Sequence, residues 1–219
     1  MHLAIRPGTD AEVLLALLHV VFAEKLAAAD LAGFATGLDL KGPARWLFPN
    51  GPMKIPGAGR AWFPISEERL SAYGRGEGAF DLSSLRPDGL DAARDAVLAF
   101  ISALEVPWEK VILGGFSQGA MLSVELALAT PEAPRGVFLL SGNLVDAAGL
   151  VARAPGRKGL RFFQSHGTLD PLLGYEGGRK LHETLLAAGW EGSFLDFPGQ
   201  HAIPGEVLEG LGAFLDSLL

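Results

Sequence analysis

Short continuous apolar runs recur along this chain, and segments of helical spacing separate them. This alternation limits the fold more than any other feature. A run that is apolar at every position fits a strand covered on both faces, the setting of a parallel sheet flanked by helices. The strand candidates, several of them such runs, are residues 2–6, part of 13–22, 45–48, 110–114, 136–140, 160–165 and 193–197. Helical spacing appears over 91–104, where Ala92, Val97, Leu98, Ile101 and Leu104 share a face, and over the Ala- and Leu-rich segment 117–129. It returns over 178–188, stopped by Gly189, and over 206–218, whose stripe of Val207, Leu208, Leu211, Phe214, Leu215 and Leu218 follows Pro204. The pattern predicts an α/β domain with a mostly parallel central sheet and helices on both faces. Ligands of such sheets bind at the carboxyl ends of the strands.

The length of 219 residues fits a single domain over 1–219. With 49% hydrophobic and 20% charged residues the chain is expected to fold. The net charge of -7 and the lack of any Lys/Arg cluster argue against a nucleic-acid partner. Cysteine is absent, which removes disulfides, thiolate metal sites and a Cys nucleophile, and fits the cytoplasm. Neither a metal-binding H-E-x-x-H nor a phosphate-binding glycine loop is present, so no metal and no cofactor is expected. The apolar run 13–23, broken only by His19, is shorter than the ~20 residues of a bilayer span. Asp10 and Glu12 precede it where a secretory signal carries positive charge. It reads as a buried strand or helix, with no stable membrane insertion. Residues 49–90, punctuated by Pro49, Gly51, Pro52, Pro56, Gly57, Gly59 and Pro64, read as an irregular connection or a binding loop.

Gly115-Phe116-Ser117-Gln118-Gly119 has the form G-x-S-x-G. Alone the motif is weak, but Val111-Ile112-Leu113 reads as a strand before it and Ala120-Met121-Leu122 opens a helix after it. Strand, sharp turn and helix are what a nucleophilic serine elbow requires. The helix N-terminus favours an oxyanion there, and the N–H of Gln118 becomes one oxyanion donor. Serine needs a base oriented by an acid, which in this architecture follow in the order Ser, Asp or Glu, His. Asp170 and His201 fall in turns after the runs 160–165 and 193–197. Among competitors, His182 lies in a helical run and reads as a solvated residue. His166 reads as shaping the Asp170 loop by hydrogen bonds, and Asp196 lies within a strand.

Several ordered motifs then resemble the small carboxylesterase/phospholipase family of α/β-hydrolases that includes the acyl-protein thioesterases. They are Phe48-Pro49-Asn50-Gly51-Pro52, Arg60-Ala61-Trp62-Phe63, Gly114 to Ala120, Ser141-Gly142, His166 to Pro171 and Gly199-Gln200-His201. The resemblance implies hydrolysis of carboxylic esters or thioesters without a cofactor, with Ser117, Asp170 and His201 as nucleophile, acid and base. It implies that Trp62 and Phe116 lie at the substrate. One departure stands out. The family's H-G-x-G loop, which supplies the second oxyanion N–H, is matched by Leu18-His19-Val20-Val21-Phe22. Val21 is then the candidate second donor, although a β-branched residue resists the positive φ that glycine allows. Alternatively 13–31 is a rebuilt segment, even one helix, lining the pocket or meeting a partner.

These features predict a serine carboxylesterase for small-molecule esters of short to medium acyl chains. An acyl-protein thioesterase or lysophospholipase, and a non-catalytic binding protein on the same fold, stand as rivals. The oligomeric state is left open.

Overall fold

A computed structural model describes residues 13–19, 37–55, 59–64 and 81–219. Six parallel strands form the central sheet: β1 (Val13–His19), β2 (Ala44–Leu47), β5 (Val111–Phe116), β6 (Gly136–Leu140), β7 (Arg161–Gly167) and β8 (Glu191–Phe197). They lie in the order β2-β1-β5-β6-β7-β8. Two short strands, β3 (Met53–Ile55) and β4 (Gly59–Ala61), pair antiparallel as a separate hairpin inside the stretch that reads as irregular. The run beginning at Val13 is a strand over Val13–His19, so one continuous helix from 13 to 31 is ruled out. The expected strand 2–6 lies outside the described residues.

The strand order reverses between β1 and β5. From β1 the sheet grows to β2 on one side, and from β5 to β8 on the other. A crevice for ligands opens at such a reversal, outside the carboxyl ends of the two strands. The register sets His19 beside Phe116 there.

Alternation along each strand divides the core in two. Val111, Leu113, Val137, Leu139 and Phe162 join one cluster with α1 (Leu90–Ser102), α2 (Gln118–Ala129), α3 (Ala147–Arg153) and α4 (Tyr175–Ala187). Ile112, Phe116, Phe138, Leu140 and Phe163 join the other, closed by Val207, Leu211 and Leu215 of α5 (Gly205–Asp216). The sheet is therefore covered by helices on both faces, as the apolar runs demand. Edge strand β8 is the exception. Its first residues are exposed, so nothing apolar in Glu191-Gly192 announces the strand.

α2 is buried along nearly its whole length, as a helix apolar on most sides must be. Its one buried charge, Glu125, is 3% exposed at the side chain and is held by Arg153 at 2.6 and 3.0 Å and by Arg86 at 3.1 Å. Charge-assisted pairing of this kind is needed to keep a carboxylate in an apolar core. Helix α3, which lacks a strong periodic signal, starts at Asp146, whose carboxylate caps Gly149 N–H. No helix among the described residues is long and apolar enough to cross a membrane.

Candidate active site

β5 ends at Phe116, α2 begins at Gln118, and Ser117 makes the turn between them with φ 58° and ψ -121°. Positive φ on a residue with a Cβ costs roughly 1–3 kcal/mol and persists only where the surroundings enforce it. Here Ser117 N–H donates to Leu140 O at 2.9 Å, which ties the turn to the end of β6. Gln118 opens α2, so its N–H has no partner within the helix and faces the helix's positive end. That makes it an available oxyanion donor. The proposed second donor, Val21, lies outside the described residues.

The Gln118 side chain has a separate task that the sequence does not signal. It accepts from Trp62 N–H at 3.1 Å and donates to Phe63 O at 3.2 Å. The residue after Ser117 thus clamps the Trp62–Phe63 segment against α2. Both aromatics are buried.

Asp170 and His201 arrive from adjacent strand ends. Thr168 N–H donates to Phe197 O and Leu169 N–H to Gly199 O, each at 2.9 Å, so the loop after β7 is stitched to the loop after β8. Asp170 Oδ2 then accepts from His201 Nδ1 at 2.6 Å, while Oδ1 accepts from the N–H groups of Leu172 and Leu173, both at 2.9 Å. A carboxylate can only accept, so His201 carries its proton on Nδ1 and leaves Nε2 with a free lone pair. Nε2 is buried and makes no hydrogen bond among the described residues. Burial pushes the Asp170 carboxyl up, but hydrogen bonds with His166 and His201, the His201 charge and Leu173 N–H outweigh it. They hold the group well below the usual carboxylate range.

Phe116, which the resemblance assigns to the substrate, is a buried side chain. Its ring is 2% exposed and packs on the His201 imidazole, centroids 4.5 Å apart. Phe116 is the residue before Ser117, so the His201 ring packs on the last residue of β5, next in the chain to the elbow. His182 is half-buried between Phe162 and Phe194 rather than solvated, and burial lowers its pKa. Asp196 accepts from the Tyr175 hydroxyl at 2.8 Å and plays no part in the Asp170–His201 pair.

The elbow, the acid–base pair and the sheet order together call for comparison with known hydrolases. The family model described as phospholipase/carboxylesterase matches residues 5–219. The chain belongs to the phospholipase/carboxylesterase family. It is similar to acyl-protein thioesterase 1 of Mycosarcoma maydis, 26% identical over 230 residues, covering 98% of this chain and 94% of that protein. It is also similar to acyl-protein thioesterase 1 of Candida albicans, 28% identical over 189 residues, covering 81% and 79%. The crystal structure of Arabidopsis thaliana SOBER1 shares the fold, with a TM-score of 0.76 at 24% identity over 95% of this chain and 99% of that one. As a phospholipase/carboxylesterase relative with an α/β-hydrolase fold, the chain is an ester hydrolase.

Proposed function

We propose that this family member hydrolyses acyl thioesters and the corresponding carboxylic esters through an acyl-serine intermediate, with Ser117 as nucleophile, His201 as base and Asp170 as acid. The observation that carries the proposal is the 2.6 Å Asp170–His201 pair, with a free Nε2 on the imidazole that packs against Phe116 next to the elbow serine. His201 Nε2 takes the Ser117 proton as Oγ attacks the carbonyl carbon. Gln118 N–H receives the oxyanion, with Val21 as the second donor. The thiol or alcohol leaves with the proton from His201, and water then frees the acid by the same route. No cofactor enters the scheme.

Sequence alone puts short- to medium-chain carboxylic esters first. The names of the relatives shift the weight to thioesters, because the two similar proteins described above are acyl-protein thioesterases. A purely binding role would leave no reason for an orientated imidazole with an unused lone pair. The absence of cysteine fits action in the cytoplasm.

The test compares an acyl thioester and the matching nitrophenyl ester, each at several chain lengths, on wild type and Ser117→Ala. Wild type is expected to turn over both, with the higher kcat/KM on the longer thioesters. Ser117→Ala is expected to lose about 10⁴-fold or more in kcat. A preference for short nitrophenyl esters would return the carboxylesterase reading. An active Ser117→Ala, or no labelling of Ser117 by a serine-reactive phosphonate, would overturn the nucleophile assignment.

A further inference from the structure

Asp170 faces two imidazoles. His201 Nδ1 lies 2.6 Å from Oδ2, and His166 Nε2 lies 3.4 Å from the same oxygen. His166 comes from the end of β7, four residues before the carboxylate, and is fully buried. Its Nε2 is also 2.6 Å from Leu173 O, a group that can only accept, so the proton sits on Nε2. Nδ1 is buried without a partner, which leaves no acceptor for a second proton. The ring therefore donates its Nε2–H to Leu173 O, and the same nitrogen stands 3.4 Å from Asp170 Oδ2.

The seat of this ring is built for it. A Cβ on Gly178 of α4 would run into the imidazole, so the glycine gives the ring its room. Tyr175 covers it edge-on, with centroids 6.4 Å apart. The titratable and charged groups around it, among the described residues, are Asp170 and His201, Tyr175 on α4, and Asp196, its register neighbour on β8. Asp196 is turned to the Tyr175 hydroxyl. Leu173 N–H donates to Oδ1 while Leu173 O receives His166, so one residue couples both sides of the carboxylate.

We propose that His166 is a positioning residue for hydrolysis: its Nε2–H holds the Leu173 turn and shares Asp170 Oδ2 with His201, which fixes the carboxylate and moderates its grip on the His201 proton. This rests on the triad reading above. A staple for the loop alone would need only the Leu173 bond. The second contact, on the oxygen that His201 uses, is what ties His166 to proton transfer. With that contact gone, Oδ2 turns its full charge to His201, and the imidazole keeps its proton to higher pH. The base form then appears later as pH rises.

Two polar substitutions separate the effects. His166→Gln sets an amide donor near the place of Nε2, whereas His166→Asn sets it one atom short, near Nδ1. His166→Asn is expected to lose about tenfold in kcat with KM unchanged. The acid limb of its kcat/KM profile should move to higher pH, and His166→Gln should restore both. Equal behaviour of the two variants, or a loss without a moved limb, overturns the proposal. In wild type, ¹⁵N imidazole shifts should show His166 as a neutral ring protonated on Nε2 near neutral pH. A cation or the Nδ1–H form overturns it, whether or not the variants fold. Wild type without Ser117-dependent turnover would instead remove the triad reading, and this inference with it. An active wild type with an unmoved limb in His166→Asn removes the inference alone.

Discussion

Ser117 and the Asp170–His201 pair all lie beyond carboxyl ends of sheet strands but are held in different ways. Ser117 is held by packing. Its φ of 58° is kept by a fully buried β5, by the N-terminus of α2 and by one backbone bond to Leu140. Gly142, at the end of β6, lets α2 come so close that a Cβ there would stand 2.6 Å from the Ala120 Cβ. The acid–base pair is held by hydrogen bonds. Asp170 accepts from His201, Leu172 and Leu173, and two further backbone bonds stitch its loop to that of His201. Steric change should therefore damage the Ser117 side, and change of polarity or pH the Asp170–His201 side.

The largest contrast beyond Ser117 itself is expected from Asp170→Asn. The amide can present its NH2 to Nδ1 and favour the wrong tautomer, so kcat should fall about 10⁴-fold with little change in KM. Single-turnover kinetics on the thioester check this. A loss under tenfold would mean that the Nδ1 contact does not set the tautomer. Gly142→Ala comes next. It keeps every hydrogen bond of the pair but pushes on the start of α2. A misplacement near 1 Å costs about 10²-fold in rate, and overpacking about 1–3 kcal/mol in stability. Urea unfolding and kcat measured together test it. An unchanged kcat would show that packing at Gly142 does not place the nucleophile.

The smallest effect is one of pH. Asp170 is held below its ordinary value, so in the window beneath about 3.9 the unfolded chain binds a proton that the folded chain refuses. Stability rises with pH there. The contribution is complete above the ordinary value and is lost as pH falls through the lower folded one. The difference in urea midpoint between wild type and Asp170→Asn should hold from neutral to mildly acid pH and shrink below that point. A difference that grew in acid would reverse the sign.

Much of this site could be read from residue order alone. β5 and β6 are nearly continuous apolar runs, and Ser117, Asp170 and His201, the candidate nucleophile, acid and base, lie beyond strand ends in the chain order expected of the fold. Other parts carry no such mark. Glycines argue against a helix, so 178–188 reads as the start, yet α4 begins at Tyr175. Gly177 and Gly178 are there because the Asn143 side chain and the His166 ring press against the helix. The side of the sheet taken by Phe116, and so its packing on His201, depends on the pleat and is fixed only once the register is known. The Gln118 clamp on Trp62 joins residues far apart in the chain, and no local pattern encodes it. The capping Asp146 before an Ala-rich run is the one signal from which α3 could have been read.

The place of β1 has a kinetic consequence. β5 to β8 each pair with the next strand along the chain, so these ladders close over short spans. β1 also pairs with the next strand, β2, but its second ladder, to β5, closes over β2, the hairpin and α1. Contacts across long spans pay their closure entropy before they gain anything, which makes them late. Refolding should run at two tempos, with amides of β6 and β7 protected early and those of β1 last, as pulsed hydrogen exchange can resolve. The strand-order reversal at β1 and β5 is complete only after that last step, so recovery of turnover should trail recovery of secondary structure.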